Sequence, residues 1–128
     1  MHGMTPEELK RRTKEFTVRI IRLVEALPRG RSGDVIAKQI VRCGSSVGAN
    51  YRAACRARST ADFVSKMHIV EEEADEALYW LEILADSGLM KKDRLVGLMK
   101  EAEELLAISV ASINTAKGRA RSARCQPA

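Results

Sequence analysis

Apolar and small side chains recur along this chain at alternating intervals of three and four, the spacing that gathers them on one face of an α-helix. The first run is Leu9, Thr13, Phe16, Ile20, Leu23 and Leu27. Thr5-Pro6-Glu7-Glu8 precedes it and reads as a helix start, with Thr5 as N-cap, Pro6 at the first helical position and Glu8 closing a capping box. Pro28-Arg29-Gly30-Arg31-Ser32-Gly33 ends it. A second run, Ile36, Ile40, Cys43, Val47, Asn50 and Ala54, predicts a helix starting near Ser32 or Asp34. Its interior, Gly44-Ser45-Ser46-Val47-Gly48-Ala49, carries two glycines that imply either a close helix–helix approach or a local kink.

The third run is the most regular: Phe63, Met67, Val70, Ala74, Ala77, Leu81 and Leu84, widened by Leu78 and Ile83. Ser59 or Thr60 is its expected start and Ser87-Gly88 its end. The break at Arg56-Ala57-Arg58 rests on that cap signal alone, so a single long bent helix stays open. The fourth run follows Asp93 with Leu95, Leu98, Met99, Ala102, Leu105, Leu106, Ser109, Ile113 and Ala116, and ends at Gly118. Helices over about 6–27, 34–56, 60–87 and 92–116, joined by short connections, predict an all-α, antiparallel up-and-down four-helix bundle spanning 1–118. A basic tail, 119–128, is expected to be disordered.

Composition agrees. The 128 residues suit one domain, and 45% hydrophobic content argues against a disordered chain. Aromatics are limited to Phe16, Phe63, Tyr51, Tyr79 and Trp80, which favours helices filled by aliphatic residues over a β-sandwich. The apolar runs are too short to span a membrane. Cys43, Cys55 and Cys125 lack metal-ligand spacing and cannot all pair internally, and no signal peptide opens the chain, so a cytoplasmic protein with reduced thiols is expected.

Charge divides the chain by sign. Residues 1–66 hold fourteen Lys/Arg against six Asp/Glu, and residues 67–116 hold four against eleven. Lys10, Arg11, Arg12, Lys14, Arg19 and Arg22 mark the first helix, with Arg29 and Arg31 in its loop. Arg11, Arg12, Arg19 and Arg22 fall off its apolar stripe and are expected to face solvent. Arg52, Arg56 and Arg58 form a second cluster, beside Tyr51 as a potential stacking partner, and Lys117, Arg119, Arg121 and Arg124 form a third. Such a surface attracts phosphates without reading sequence. The basic and acidic halves could equally pair within the bundle or between subunits.

The acidic run is Glu71-Glu72-Glu73-Ala74-Asp75-Glu76. Glu72, Asp75 and Glu76 are expected to point outward and Glu73 to be half-buried, with Arg42, Arg52, Arg56 and Lys66 as cationic partners for an ion-pair network or an oligomer contact. Asn50 sits in the apolar stripe, and with Gln39 and Ser46 on its flank it suggests a structural polar core. No catalytic, cofactor or metal site emerges. His68 near Glu71 and Glu72 lacks the Glu-x-x-His pattern of a di-metal bundle, and neither Cys43 nor Cys55 has a neighbouring histidine in sequence.

The stretch Ile36-x-x-Gln39-Ile40-x-Arg42-Cys43-x-x-Ser46-Val47-x-x-Asn50-Tyr51, followed by Arg56, Ser59, Phe63 and Glu71 through Trp80-Leu81-Glu82, resembles four-helix bundle proteins of the 23S rRNA intervening-sequence type. Accessory proteins of diversity-generating retroelements belong to the same family. The likeness runs from about Phe16 to Ile113. It implies a non-catalytic, ring-like homopentamer, with an RNA or nucleoprotein partner in the retroelement members. Gln39, Ser46 and Asn50 match the family's motif and would be structural. The chain departs from many members after Asn50, reading Tyr51-Arg52-Ala53-Ala54 in place of a small apolar-Ala-Glu-Gly stretch. Two functions remain: an RNA-binding homo-oligomer, or a protein–protein module with no nucleic-acid role.

Overall fold

The computed structural model describes residues 4–125, and among these every regular element is helical. α1 (Pro6–Glu25), α2 (Arg31–Cys55) and α3 (Thr60–Asp86) precede a 3₁₀ turn, Lys92–Arg94, and α4 (Val96–Cys125). At the start of α1 the Glu8 N–H donates to Thr5 Oγ1 at 3.1 Å, and the Thr5 N–H donates to Glu8 Oε2 at 3.1 Å. Both halves of the capping box therefore form, satisfying two N–H groups that a bare helix start leaves unpaired.

α2 begins at Arg31, one residue before Ser32 and three before Asp34, the two expected starts. Gly30 occupies the N-cap position without a side-chain bond, and the Asp34 N–H donates to its carbonyl at 2.9 Å. The break between α2 and α3 is real. Ser59 is the N-cap of α3, its hydroxyl accepting from the Asp62 N–H at 3.0 Å. Gly88 closes that helix with φ of 76°, a conformation open to glycine and strained for other residues.

α4 extends well past residue 116. It runs through Gly118 to Cys125, where a disordered tail was expected. One mid-helix glycine costs only about 1 kcal/mol relative to alanine, and Ala116, Ala120, Arg121, Ala123 and Arg124 around it are all good helix formers. Ala120 and Arg121 also lie against Thr60, Ala61 and Val64 at the start of α3. Residues 126–128 of the expected tail lie outside the described residues.

One core joins all four helices. Phe16, Ile20, Ile40, Cys43, Val47, Met67, Leu81, Leu84 and Leu95 are fully buried in it. α2 and α4 both pack along α3, while α1 packs chiefly on α2 and meets α4 along a thinner seam. The contacts of Gly44 with Ile20 and of Gly48 with Thr13 run in opposite chain directions, so α1 and α2 are antiparallel. Those same contacts decide between kink and close approach: a Cβ on Gly44 would sit 3.1 Å from Ile20 Cγ1, and one on Gly48 would sit 3.3 Å from Thr13 Oγ1. The glycines let α1 lie directly on the backbone of α2. Thr17 adds a bond across this seam, donating to the Gly44 carbonyl at 3.0 Å.

The buried polar residues are not those expected. Thr13 and Ser109 are 1% and 2% exposed, and each donates to a carbonyl one turn back, Leu9 at 2.9 Å and Leu105 at 2.8 Å. Gln39, Ser46 and Asn50 are only half-buried. The seam of α2 steps from Val47 to Tyr51 and then Ala54, a four-then-three order that turns Asn50 toward the edge. Asn50 Nδ2 donates to the Ser46 carbonyl at 2.9 Å and to Ser46 Oγ at 2.8 Å. Gln39 Oε1 accepts from Arg42 Nε at 3.4 Å, outside that pair. Phe63, the first seam residue expected of α3, is likewise half-buried.

Candidate nucleic-acid interface

Arginines are useful to an external anion only where internal carboxylates do not already hold them. Arg12 is held. Its Nε and Nη2 reach the two oxygens of Glu101 at 2.7 and 2.8 Å, and Nη2 reaches Glu104 at 3.0 Å. Its side chain is 21% exposed, so the expectation that it faces solvent with Arg11, Arg19 and Arg22 is corrected. The hydrogen bond it donates to Glu101, opposed by burial and reinforced by Glu104, raises its guanidinium above the ordinary range.

Arg42 is held as well. It bridges Glu73, at 3.1 Å, and Glu76. Of the four cations proposed for the acidic run, this is the one that pairs. Glu76 also accepts from the Trp80 indole N–H at 3.1 Å, and Tyr79 stands edge-on to Trp80 with ring centroids 5.2 Å apart. Glu72 and Asp75 are exposed. The network at Glu73 and Glu76 thus lies within the chain, tying α2 to α3.

This network has a pH signature. The Arg42 hydrogen bond, helped by Trp80 and opposed by partial burial, holds the Glu76 carboxyl below its ordinary value. A carboxyl lowered by folding contributes stability above its unfolded value, near 4.3 for glutamate, and that contribution is lost as pH falls through the folded value. Glu76→Gln should therefore melt below the wild type at pH 7, and the gap should close below about pH 4. Thermal melts of both proteins from pH 7 to 3 check this; a gap independent of pH would contradict it.

The free arginines gather at the ends of the bundle. At one end α1 and α3 begin while α2 and α4 finish. Arg52, Arg56 and Arg58 are exposed there, and no carboxylate lies within salt-bridge distance of them among the described residues. Two residues beyond Arg58, Thr60 and Ala61 join Val64 as one wall of a groove of about 450 Å³. Lys117, Arg121 and Arg124 of α4 form the other wall. The second and third basic clusters, about sixty residues apart in sequence, thus lie at the same end of the bundle. Their 117/121/124 spacing is helical and was the available signal that the third cluster sits on one helix face.

Arg11 stands near this end on α1, loosely paired with Glu15 at 3.8 Å. Arg19 and Arg22 lie toward the opposite end, beside Arg94. Tyr51 does not offer a stacking face. It is 6% exposed, and burial, with Cys55 beside it, raises its phenol above the usual range. The exposed aromatic is Tyr79, on the acidic helix α3.

Of the two cysteines described in full, Cys55 is exposed and Cys43 is buried. Burial pushes the Cys43 thiol up to about 12, which keeps it protonated and unreactive. His68 faces Glu71 at 3.5 Å. Among the described residues no group of three or more His, Cys, Asp or Glu could hold a metal ion, and no helix is long and apolar enough to cross a membrane.

Comparison with known proteins follows the same lines. Residues 7–111 match the family model described as "23S rRNA-intervening sequence protein". A solved structure from Bacteroides thetaiotaomicron, described as a protein of unknown function from the S23 ribosomal protein family, superposes with a TM-score of 0.76 at 36% identity. The match covers 81% of this chain and 96% of that one. No curated protein matches.

Proposed function

The chain belongs to the 23S rRNA-intervening sequence protein family, and from that premise we propose that it is a non-enzymatic, homo-oligomeric bundle that binds RNA through its basic end. The observation that supports this most directly is the unpaired state of Arg52, Arg56 and Arg58 at the same end of the bundle as the groove wall of Lys117, Arg121 and Arg124. Six cations on one end, with the acidic residues Glu73, Glu76, Glu101 and Glu104 engaged in pairs elsewhere, suit a phosphate backbone. Tyr51 is buried and the exposed Tyr79 lies on the acidic helix α3, which leaves little at the basic end to stack on bases, so binding is electrostatic and sequence-tolerant. Self-association is supported by large apolar side chains left on the surface, including Val18, Ile21, Val35 and Val110.

The test is the triple charge reversal R52E/R56E/R58E, with affinity for a labelled RNA oligonucleotide followed by fluorescence anisotropy across a salt series. Each lost phosphate contact lowers the salt slope by about one, so the slope should fall by about three. Affinity at low salt should drop roughly a hundredfold, while the helical melt stays close to wild type because all three side chains are exposed. Unchanged binding by the folded variant would remove these arginines from the interface. No binding by the wild type at low salt would remove the RNA reading altogether.

A further inference from the structure

The opposite end of the bundle carries a smaller basic feature that the RNA surface does not use. Arg19 and Arg22 from α1 and Arg94 from the turn before α4 converge on a groove of about 280 Å³, with Leu23, Leu98 and Gly97 completing its lining. Residue 94 is distant in sequence from 19 and 22, and only the antiparallel meeting of α1 with α4 brings the three together. None of the three has a carboxylate within salt-bridge distance among the described residues. Arg12 and Arg42, by contrast, each take two acids. The first turn of α4 contains no acidic residue, and Asp93, next to Arg94 in the preceding turn, makes no ion pair with any of the three.

Gly97 makes the arrangement possible. A Cβ there would stand 3.2 Å from Arg19 Nη2, so the tip of the guanidinium sits close over the first turn of α4. A side chain at 97 would shift it by a few tenths of an ångström. The groove also has an apolar component, Leu23 and Leu98, both nearly buried. Three exposed positive charges around a small, open depression suit a compact anion of high charge. A terminal phosphate carries about −1.5 to −2 at neutral pH and presents three oxygens to forked guanidinium donors. A bridging phosphodiester carries a single charge and brings chain on both sides.

We propose that the Arg19–Arg22–Arg94 groove is a binding site for a terminal phosphate group, borne either by a small phosphate compound or by the end of an RNA strand. The site goes beyond the RNA surface at the other end and does not depend on it.

The experiment uses the full-length chain carrying R52E/R56E/R58E, so that the other end contributes nothing. Inorganic pyrophosphate is titrated by calorimetry, and a 5′-phosphorylated oligoribonucleotide is compared with its 5′-hydroxyl counterpart by anisotropy. Saturable pyrophosphate binding, weakened roughly tenfold or more by Arg94→Gln, is the expected result. Gly97→Ala should raise the melting temperature, as alanine replaces a helical glycine, yet weaken pyrophosphate binding severalfold by displacing Arg19. A mere loss of structure cannot give that pair of results. Preference for the phosphorylated oligonucleotide, competed by pyrophosphate, assigns the site to RNA ends; pyrophosphate binding with no such preference assigns it to small phosphate compounds. Absence of pyrophosphate binding, or binding unaffected by both Arg94→Gln and Gly97→Ala, overturns the proposal.

Discussion

Replacing Gly44 with leucine should lower the melting temperature by roughly 5–15 °C, corresponding to a loss of about 1–3 kcal/mol from overpacking. The position is tight for any side chain because even a Cβ would meet Ile20 Cγ1 at 3.1 Å and Ile20 Cγ2 at 3.3 Å, and leucine adds three more carbons. Ile20 itself is fully buried and cannot swing into solvent. A leucine therefore has to push α1 off α2, and the Thr17 hydroxyl then loses the Gly44 carbonyl it donates to. Leucine is the better helix former by nearly 1 kcal/mol, so propensity alone predicts the opposite sign. Gly118→Ala provides the control: no atom lies within 4 Å of a Cβ there, and the same propensity argument should raise stability by up to about 1 kcal/mol. Thermal melts of the two variants decide the matter. Stabilisation by Gly44→Leu would mean that α1 and α2 do not pack on that pair.

Much of this packing was legible in the chain. The periodic positions of α1 and α3 are nearly all buried, and the caps at Thr5, Ser59 and Gly88 lie where their chemistry places them. What periodicity could not resolve was phase within α2. Both 47–50–54 and 47–51–54 alternate three and four, and the choice between Asn50 and Tyr51 depends on which neighbour the helix faces. The polar core was misplaced for that reason. Thr13 and Ser109 occupy core positions in the sequence pattern, but their role as buried hydroxyls bonded to their own helix follows only from the depth of burial.

The basic surface was legible residue by residue and illegible as an arrangement. Solvent-facing arginines can be read from a helical wheel, which placed Arg11, Arg19 and Arg22 correctly. Whether a carboxylate from another helix reaches them cannot be read that way: Arg12 and Glu101 are 89 residues apart. Nor could the wheel show that Arg94 meets Arg19 and Arg22. Gly118 suggested an end to α4, and treating it as one concealed the groove wall of Lys117, Arg121 and Arg124.

Arg12 also yields the second large effect, because it spans the seam where α1 and α4 otherwise touch least. Glu101→Ala should cost about 2–4 kcal/mol, near the upper range for a charged hydrogen bond, since it leaves a largely buried guanidinium with Glu104 alone. Glu104→Ala should cost about 1 kcal/mol or less, because that carboxylate is 48% exposed and makes a single bond. The double replacement Arg12→Leu with Glu101→Leu should recover much of the larger loss, since two apolar groups leave no buried charge without a partner. Urea titration of the three variants measures each cost. A loss at Glu101 no greater than at Glu104 would show that the fork does not bind α4 to α1. The same pair bears on RNA binding: Arg12→Glu would set a third carboxylate against Glu101 and Glu104 and act through the fold. Reversals at Arg52, Arg56 and Arg58 act on exposed charges, so a weakened interaction with an intact melt distinguishes an RNA contact from a structural one.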